Sequence, residues 1–160
     1  MEEPTSDIQW HPAFFEAIQL ELEEYRDVLI FNIEYDLTAA PLKIDVVIIK
    51  KRKNVVIKKN IARIFRQYNI VEYKSPDDYV SLNDYNKVRS YALFYASQRN
   101  ADTEELSVTF ISDRKPVKLL NHLAERLHVE RQQPGIYIVT GDICPLQIIV
   151  SRELSDEENL

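Results

Sequence analysis

Only two glycines, Gly135 and Gly141, occur in the 160 residues. Neither a GxGxxG turn nor a Walker A loop can be written with them, so backbone cradles for nucleotide phosphates are not expected. There is one cysteine, Cys144, and a lone thiol closes no internal disulfide, which suits a reducing compartment. It precedes Pro145 in a short turn between strands and reads as a structural residue. No apolar run approaches the roughly 20 residues that cross a bilayer, so no membrane segment is expected. His11, His122 and His128 show neither HExxH nor Cys/His zinc spacing, and no serine sits in a GxSxG elbow. The opening MEEPTSDIQW is acidic and has no basic stretch followed by an apolar one. No secretory signal is therefore expected, and the expected location is the cytoplasm. Net positive charge is lacking as well: the formal charge is −6, which weighs against a generic nucleic-acid binder.

What is present is an ordinary globular composition, 45% apolar and 29% charged, on a length that fits one domain over residues 1–160. No repeat or low-complexity linker divides it. The charge is unevenly distributed. Between Lys43 and Lys74 ten basic residues stand against two acids, Asp45 and Glu72. Both ends are acidic, with Glu16, Glu21, Glu23 and Glu24 at the front and a tail from about residue 152 at the back. The ending Ser155-Asp156-Glu157-Glu158 reads either as a helix cap with an acidic first turn or as a frayed tail.

Apolar spacing predicts a helix from about Pro12 to Tyr25, where Phe14, Phe15, Ile18, Leu22 and Tyr25 recur every three or four residues. Val28 to Leu37 alternates like a half-buried strand. Lys43 to Lys50, with its β-branched run, predicts a strand buried on both faces. A turn at Lys51 to Asn54 and a short helix through Ile61, Ile64 and Phe65 follow. Then come a strand at Asn69–Tyr73, a helix at Ser81–Gln98, a strand at Leu106–Ile111 and a helix at Val117–Leu127. Strands at Ile136–Thr140 and Leu146–Val150 end the series. The expected class is α/β, a mixed central sheet flanked by helices.

Two acids inside otherwise basic, apolar strands mark the candidate chemistry. Glu72 and Lys74 are two apart on a strand and so project from the same face, with Tyr73 on the other. If the strands carrying Asp45 and Glu72 are hairpin neighbours, the two carboxylates form a hard oxygen site of the kind Mg²⁺ or Mn²⁺ prefers. The cation offsets their mutual repulsion. A lysine beside it can hold a scissile phosphate and stabilise developing charge. The alternative is an ordinary ion pair of Lys74 with Asp45 or Glu72 at a sheet edge. On the following helix, Tyr85 and Arg89 lie one turn apart and are candidates to face phosphate. The alternative there is a core tyrosine and a solvated arginine. The basic run Lys51, Arg52, Lys53 and Lys58 is a candidate nucleic-acid surface, or simply a solvated face.

The element order and the D…ExK pattern resemble the PD-(D/E)xK nuclease superfamily, whose restriction-endonuclease-like core runs α-β-β-β-α-β. More narrowly, HPAFFEAIQLELEEYRDVL, PLKIDVVIIKK and NIVEYKSPDDYVSLNDYNKVRSYALFYAS resemble bacterial Rpn-type proteins (recombination-promoting nuclease/putative transposase). The likeness covers nearly the whole chain and is densest from Pro41 to Ser97. It implies a Mg²⁺- or Mn²⁺-dependent DNA endonuclease with Asp45 and Glu72 as metal ligands and Lys74 as catalytic lysine. The superfamily often adds a first-helix glutamate, for which Glu16, Glu21 and Glu24 are candidates and Glu21 is preferred. Pro41 is four residues before Asp45, so the proline and aspartate of the superfamily name are not adjacent. The expected partner is DNA, with a homodimer left open. The competing reading is a catalytically silent relative that keeps the fold as a binding or interaction module.

Overall fold

The computed structural model describes residues 10–34 and 46–156. Tyr35 to Asp45, including Asp45 itself, and Glu157 to Leu160 lie outside the described residues. Helix α1 spans Trp10–Glu21 and continues into a 3₁₀ turn at Glu23–Tyr25. Strands β1 (Leu29–Glu34), β2 (Val46–Lys51) and β3 (Tyr68–Tyr73) follow, with a 3₁₀ turn at Asn60–Ala62 before β3. Helix α2 (Leu82–Arg99), strand β4 (Leu106–Ser112) and helix α3 (Val117–Ala124) come next. Strands β5 (His128–Gln133), β6 (Ile136–Thr140) and β7 (Leu146–Val150) complete the set.

All seven strands form one mixed sheet in the order β1-β2-β3-β4-β7-β6-β5. The centre is a parallel trio, β3-β4-β7, and hairpin partners extend it antiparallel on either side. Parallel strands need both faces covered, and their sequences comply: every residue of β4 and β7 is buried. Alternate side chains go to opposite layers. Val46, Ile48, Ile70, Val108, Phe110 and Ile148 pack beneath α2 and α3. Val47, Ile49, Val71, Ile111 and Ile149 pack against α1 and the Asn60–Ala62 turn. β2, read from its β-branched run as buried on both faces, is so from Val46 to Ile49. β1, at one edge of the sheet, is half-buried as its alternation implied, with Leu29 inward and Ile30 outward.

The sequence reading missed β5. Its six residues, HVERQQ, are mostly exposed and carry little apolar signal, and the spacing of Leu123 and Leu127 extended the preceding helix past its real end at Ala124. β5 forms because the Pro134-Gly135 turn folds it back on β6, pairing Gln133 with Ile136. Polar side chains then protect an edge that would otherwise template aggregation.

Inside the sheet Asn69, Ser107 and Thr109 are paired, whereas Gln147 Oε1 is buried without a hydrogen-bond partner. Asn69 is fully buried and donates from Nδ2 to the carbonyls of Ile49 and Arg66 at 2.9 and 2.8 Å. Its Oδ1 accepts from the Arg66 amide and the Ser107 hydroxyl at 2.7 and 2.6 Å. One side chain thus ties β2, β3 and β4 together at the start of β3. Cys144, read as structural, is buried in the layer under α2 and α3. Its thiol pKa is pushed up to about 12, first by burial and then by the charge of Asp142.

Gly135 sits at φ +80°, and a Cβ there would come within 2.8 Å of the Val150 carbonyl oxygen. Gly141, at φ +98°, has only the end of the Leu127 side chain near it, at 3.5 Å. Both alanine variants strain the backbone, but only one also pushes a main-chain atom. Gly135→Ala should therefore lower stability by about 2–3 kcal/mol and Gly141→Ala by about 1 kcal/mol, measured by urea unfolding. Equal losses would show that the Val150 contact gives way freely.

Candidate active site at the carboxyl end of the third strand

Glu72 and Lys74 sit at the carboxyl end of β3, the edge at which open α/β sheets commonly hold ligands. Both point to the α2 side, as their spacing required. Tyr73 takes the other face and stacks on Phe14 of α1 with ring centroids 4.6 Å apart. The Lys74 amide donates to the Ile111 carbonyl at 2.8 Å, which carries the backbone of β3 one step further along β4.

The Lys74 side chain is half-buried and bound. Its Nζ lies 2.8 Å from Asp84 Oδ1 and 3.8 Å from Asp78 Oδ2. Asp84 owes its position to the start of α2. Ser81 caps the helix by accepting from the Asp84 amide at 3.1 Å, and Asp84 Oδ2 accepts from the Ser81 amide and hydroxyl, both at 2.8 Å. This reciprocal capping box leaves Oδ1 free to face Lys74.

The electrostatics follow from that arrangement. Burial alone would push the Lys74 ammonium down. The hydrogen bond to Asp84 and the fields of Glu72, Asp84 and Asp78 outweigh it, so its pKa stands above the ordinary lysine value. Burial would likewise raise Asp84, but the hydrogen bonds from Lys74 and Ser81 hold its carboxyl below the ordinary value. Lys74 is thus a firmly charged ammonium among three carboxylates.

Asp84 was missed in the sequence, although a signal was there: Ser81-x-x-Asp84 is a capping-box spacing at the predicted helix start. Of the other candidates, the structure brings none of the described ones to this place. Asp45 lies outside the described residues; β2, which it precedes, is indeed the antiparallel neighbour of β3. Glu21 is on α1, on the opposite face of the sheet, paired with Lys59 at 2.8 Å. Among the described residues no three His, Cys, Asp or Glu side chains gather as a metal-holding group.

The basic run sits at the other end of β3. The Lys51 amide bonds to the Gln67 carbonyl, about 15 Å along the strand from Glu72 at the usual rise per residue. Lys51 Nζ donates to the carbonyls of Val55 and Arg52 at 2.6 and 3.3 Å, and burial followed by the charge of Arg66 lowers its pKa. Arg52 and Lys58 are exposed, and Lys53 meets Glu105 at 3.6 Å. Tyr85 is buried and donates to Asp142, which also accepts from Arg89 at 3.0 Å. Neither Tyr85 nor Arg89 joins Lys74.

Compared with protein-family models, curated proteins and solved structures, the chain matches none.

Replacing Asp84 with alanine removes both the capping oxygen and the partner of a half-buried charge. The expected loss at neutral pH is on the order of 3 kcal/mol. Because the Asp84 pKa is lowered on folding, its contribution is complete above the ordinary value of 3.8 and is lost as pH falls through the folded-state value beneath it. Lys74 is raised, so its share persists up to 10.5 and disappears as pH rises beyond. Denaturant titrations of wild type and Asp84→Ala should therefore diverge at neutral pH and converge in acid. A gap unchanged in acid would remove the ion pair as its cause.

Proposed function

We propose that the chain is a metal-dependent nuclease of the PD-(D/E)xK type, acting on DNA phosphodiesters. The observation that carries the proposal is the pairing of Glu72 and Lys74 on one face at the carboxyl end of β3, with the ammonium held charged. The order α1-β1-β2-β3-α2-β4 agrees with the restriction-endonuclease-like core that the sequence resembles.

A physical argument favours dependence on a cation. Glu72, Asp78 and Asp84 outnumber Lys74, so the local field is negative and repels a phosphodiester. A divalent ion bound at Glu72 would reverse that sign. The donor type is hard oxygen, which suits Mg²⁺ or Mn²⁺, and Glu72 with Asp45 would hold it. Bound there, the ion would supply a Lewis acid and an activated water. Lys74 would contact a phosphoryl oxygen, and Asp84, anchored by its capping box, would position the ammonium. The exposed Arg52, Lys53 and Lys58 would meet more distant phosphates.

A specific observation also favours the second reading. Lys74 already has Asp84 at hydrogen-bond distance, as a purely structural ion pair would. On that view the chain keeps the fold as a binding module.

Nicking of supercoiled plasmid in Mg²⁺ and in Mn²⁺ separates the two. The nuclease requires cleavage by the wild type, its abolition in Asp45→Asn and Glu72→Gln, and a loss of about 100-fold or more in Lys74→Ala. DNA affinity should also fall steeply with salt. No cleavage in either metal, together with no metal-induced rise in melting temperature, would leave the binding module standing.

A further inference from the structure

A second concave site lies away from Lys74, between α2, α3 and the loop that joins β6 to β7. Its volume is about 460 Å³, within the roughly 300–1,000 Å³ typical of small-ligand sites. We propose that this cleft binds a small phosphate monoester carrying an apolar body.

The charge arrangement is the first reason. Arg89 enters from α2, and His122 and Arg126 from one face of α3 and the turn after it, four residues apart. The single carboxylate in the lining, Asp142, is almost fully enclosed, with its side chain 5% exposed. Its oxygens are engaged by the Tyr85 hydroxyl, the Arg89 guanidinium and the Ile143 amide. An entering ligand therefore meets the N–H donors of Arg89, Arg126 and His122 and not the acid. Arg126 also complements the negative end of α3, but that role needs no cleft.

The second reason is an unmet donor. Arg89 lies over the Tyr85 ring at 4.8 Å and gives Nη2 to Asp142, while its buried Nε has no hydrogen-bond partner. A buried N–H left without an acceptor costs about 1–3 kcal/mol. A small turn of the guanidinium would offer that N–H to a ligand oxygen. Planar guanidinium groups recognise phosphate oxygens through paired N–H donors, and Arg126 supplies a second such group.

The third reason is the remaining wall. Leu82, Leu123 and Leu127 line the cleft. Leu82 stays 44% exposed at its mouth. An inorganic ion would leave this surface wet, whereas an ester with an apolar body would cover it.

The site does not depend on phosphodiester cleavage, and a protein that fails to nick plasmid would still carry it. The test is calorimetric titration of the full chain with phenyl phosphate, inorganic phosphate and benzoate, repeated on Arg126→Gln. The exposed Arg126 side chain can be changed without opening the core. Phenyl phosphate should bind saturably and more tightly than either fragment, and Arg126→Gln should weaken it about tenfold. Absence of saturable binding, equal affinity in Arg126→Gln, or benzoate binding as well as phenyl phosphate would each overturn the assignment.

Discussion

β4 exposes none of its seven residues, and the layering of the molecule follows from that. A strand buried on both faces at the middle of a sheet requires cover above and below. α2 and α3 provide one cover, and α1 with the Asn60–Ala62 turn provides the other. Because β3 and β4 run parallel, α2 must return across the sheet between them. Its first turn is thereby set down beside the residues that leave β3. The proximity of Asp84 to Lys74 is a product of that crossover as much as of the two side chains.

The polar residues of the central strands obey the same constraint. Ser107 and Thr109 are buried in β4, and each has a partner across the ladder: Asn69 for Ser107 and Gln147 for Thr109. Burial without such partners would cost more than the sheet gains at those positions. These cross-ties fix β3 against β4 near their amino ends and β4 against β7 at the middle of β4. At the carboxyl end of β3 stand Glu72 and Lys74. Just past β4, Asp113 accepts from Arg152 at 2.5 Å and from Ser151 at 3.3 Å, and it adds to the burial that raises the pKa of Tyr73, on the face opposite Lys74.

The strands that face two apolar layers were legible because β-branched runs have few other uses. β7 and β6 were located residue for residue, and α2 differed only at its ends. β5 was illegible because an edge strand with two polar faces has no periodicity to detect. At the site, the shared face of Glu72 and Lys74 followed from strand geometry. The remoteness of Glu21 and of the basic run could not be read, because both depend on which end and which face a tertiary neighbour occupies. The tie of Arg89 and Tyr85 to Asp142 spans more than fifty positions and leaves no local trace. Asp84 is the reverse case: its spacing from Ser81 carries a local capping signal, and its pairing with Lys74 carries none.

The enclosure of Cys144 gives the molecule a chemical clock of its own opening. With its pKa pushed up to about 12, only about one thiol in ten thousand is ionised near pH 8, and a buried thiolate is shielded from reagents as well. Alkylation must then wait for the segment around Gly141 to Pro145 to lift from the sheet. The rate of labelling reports how often that happens. Since Asp142 in the same segment holds Tyr85 and Arg89 of α2, the modification rate of a single sulfur measures the breathing of the contact between the helical layer and the far half of the sheet.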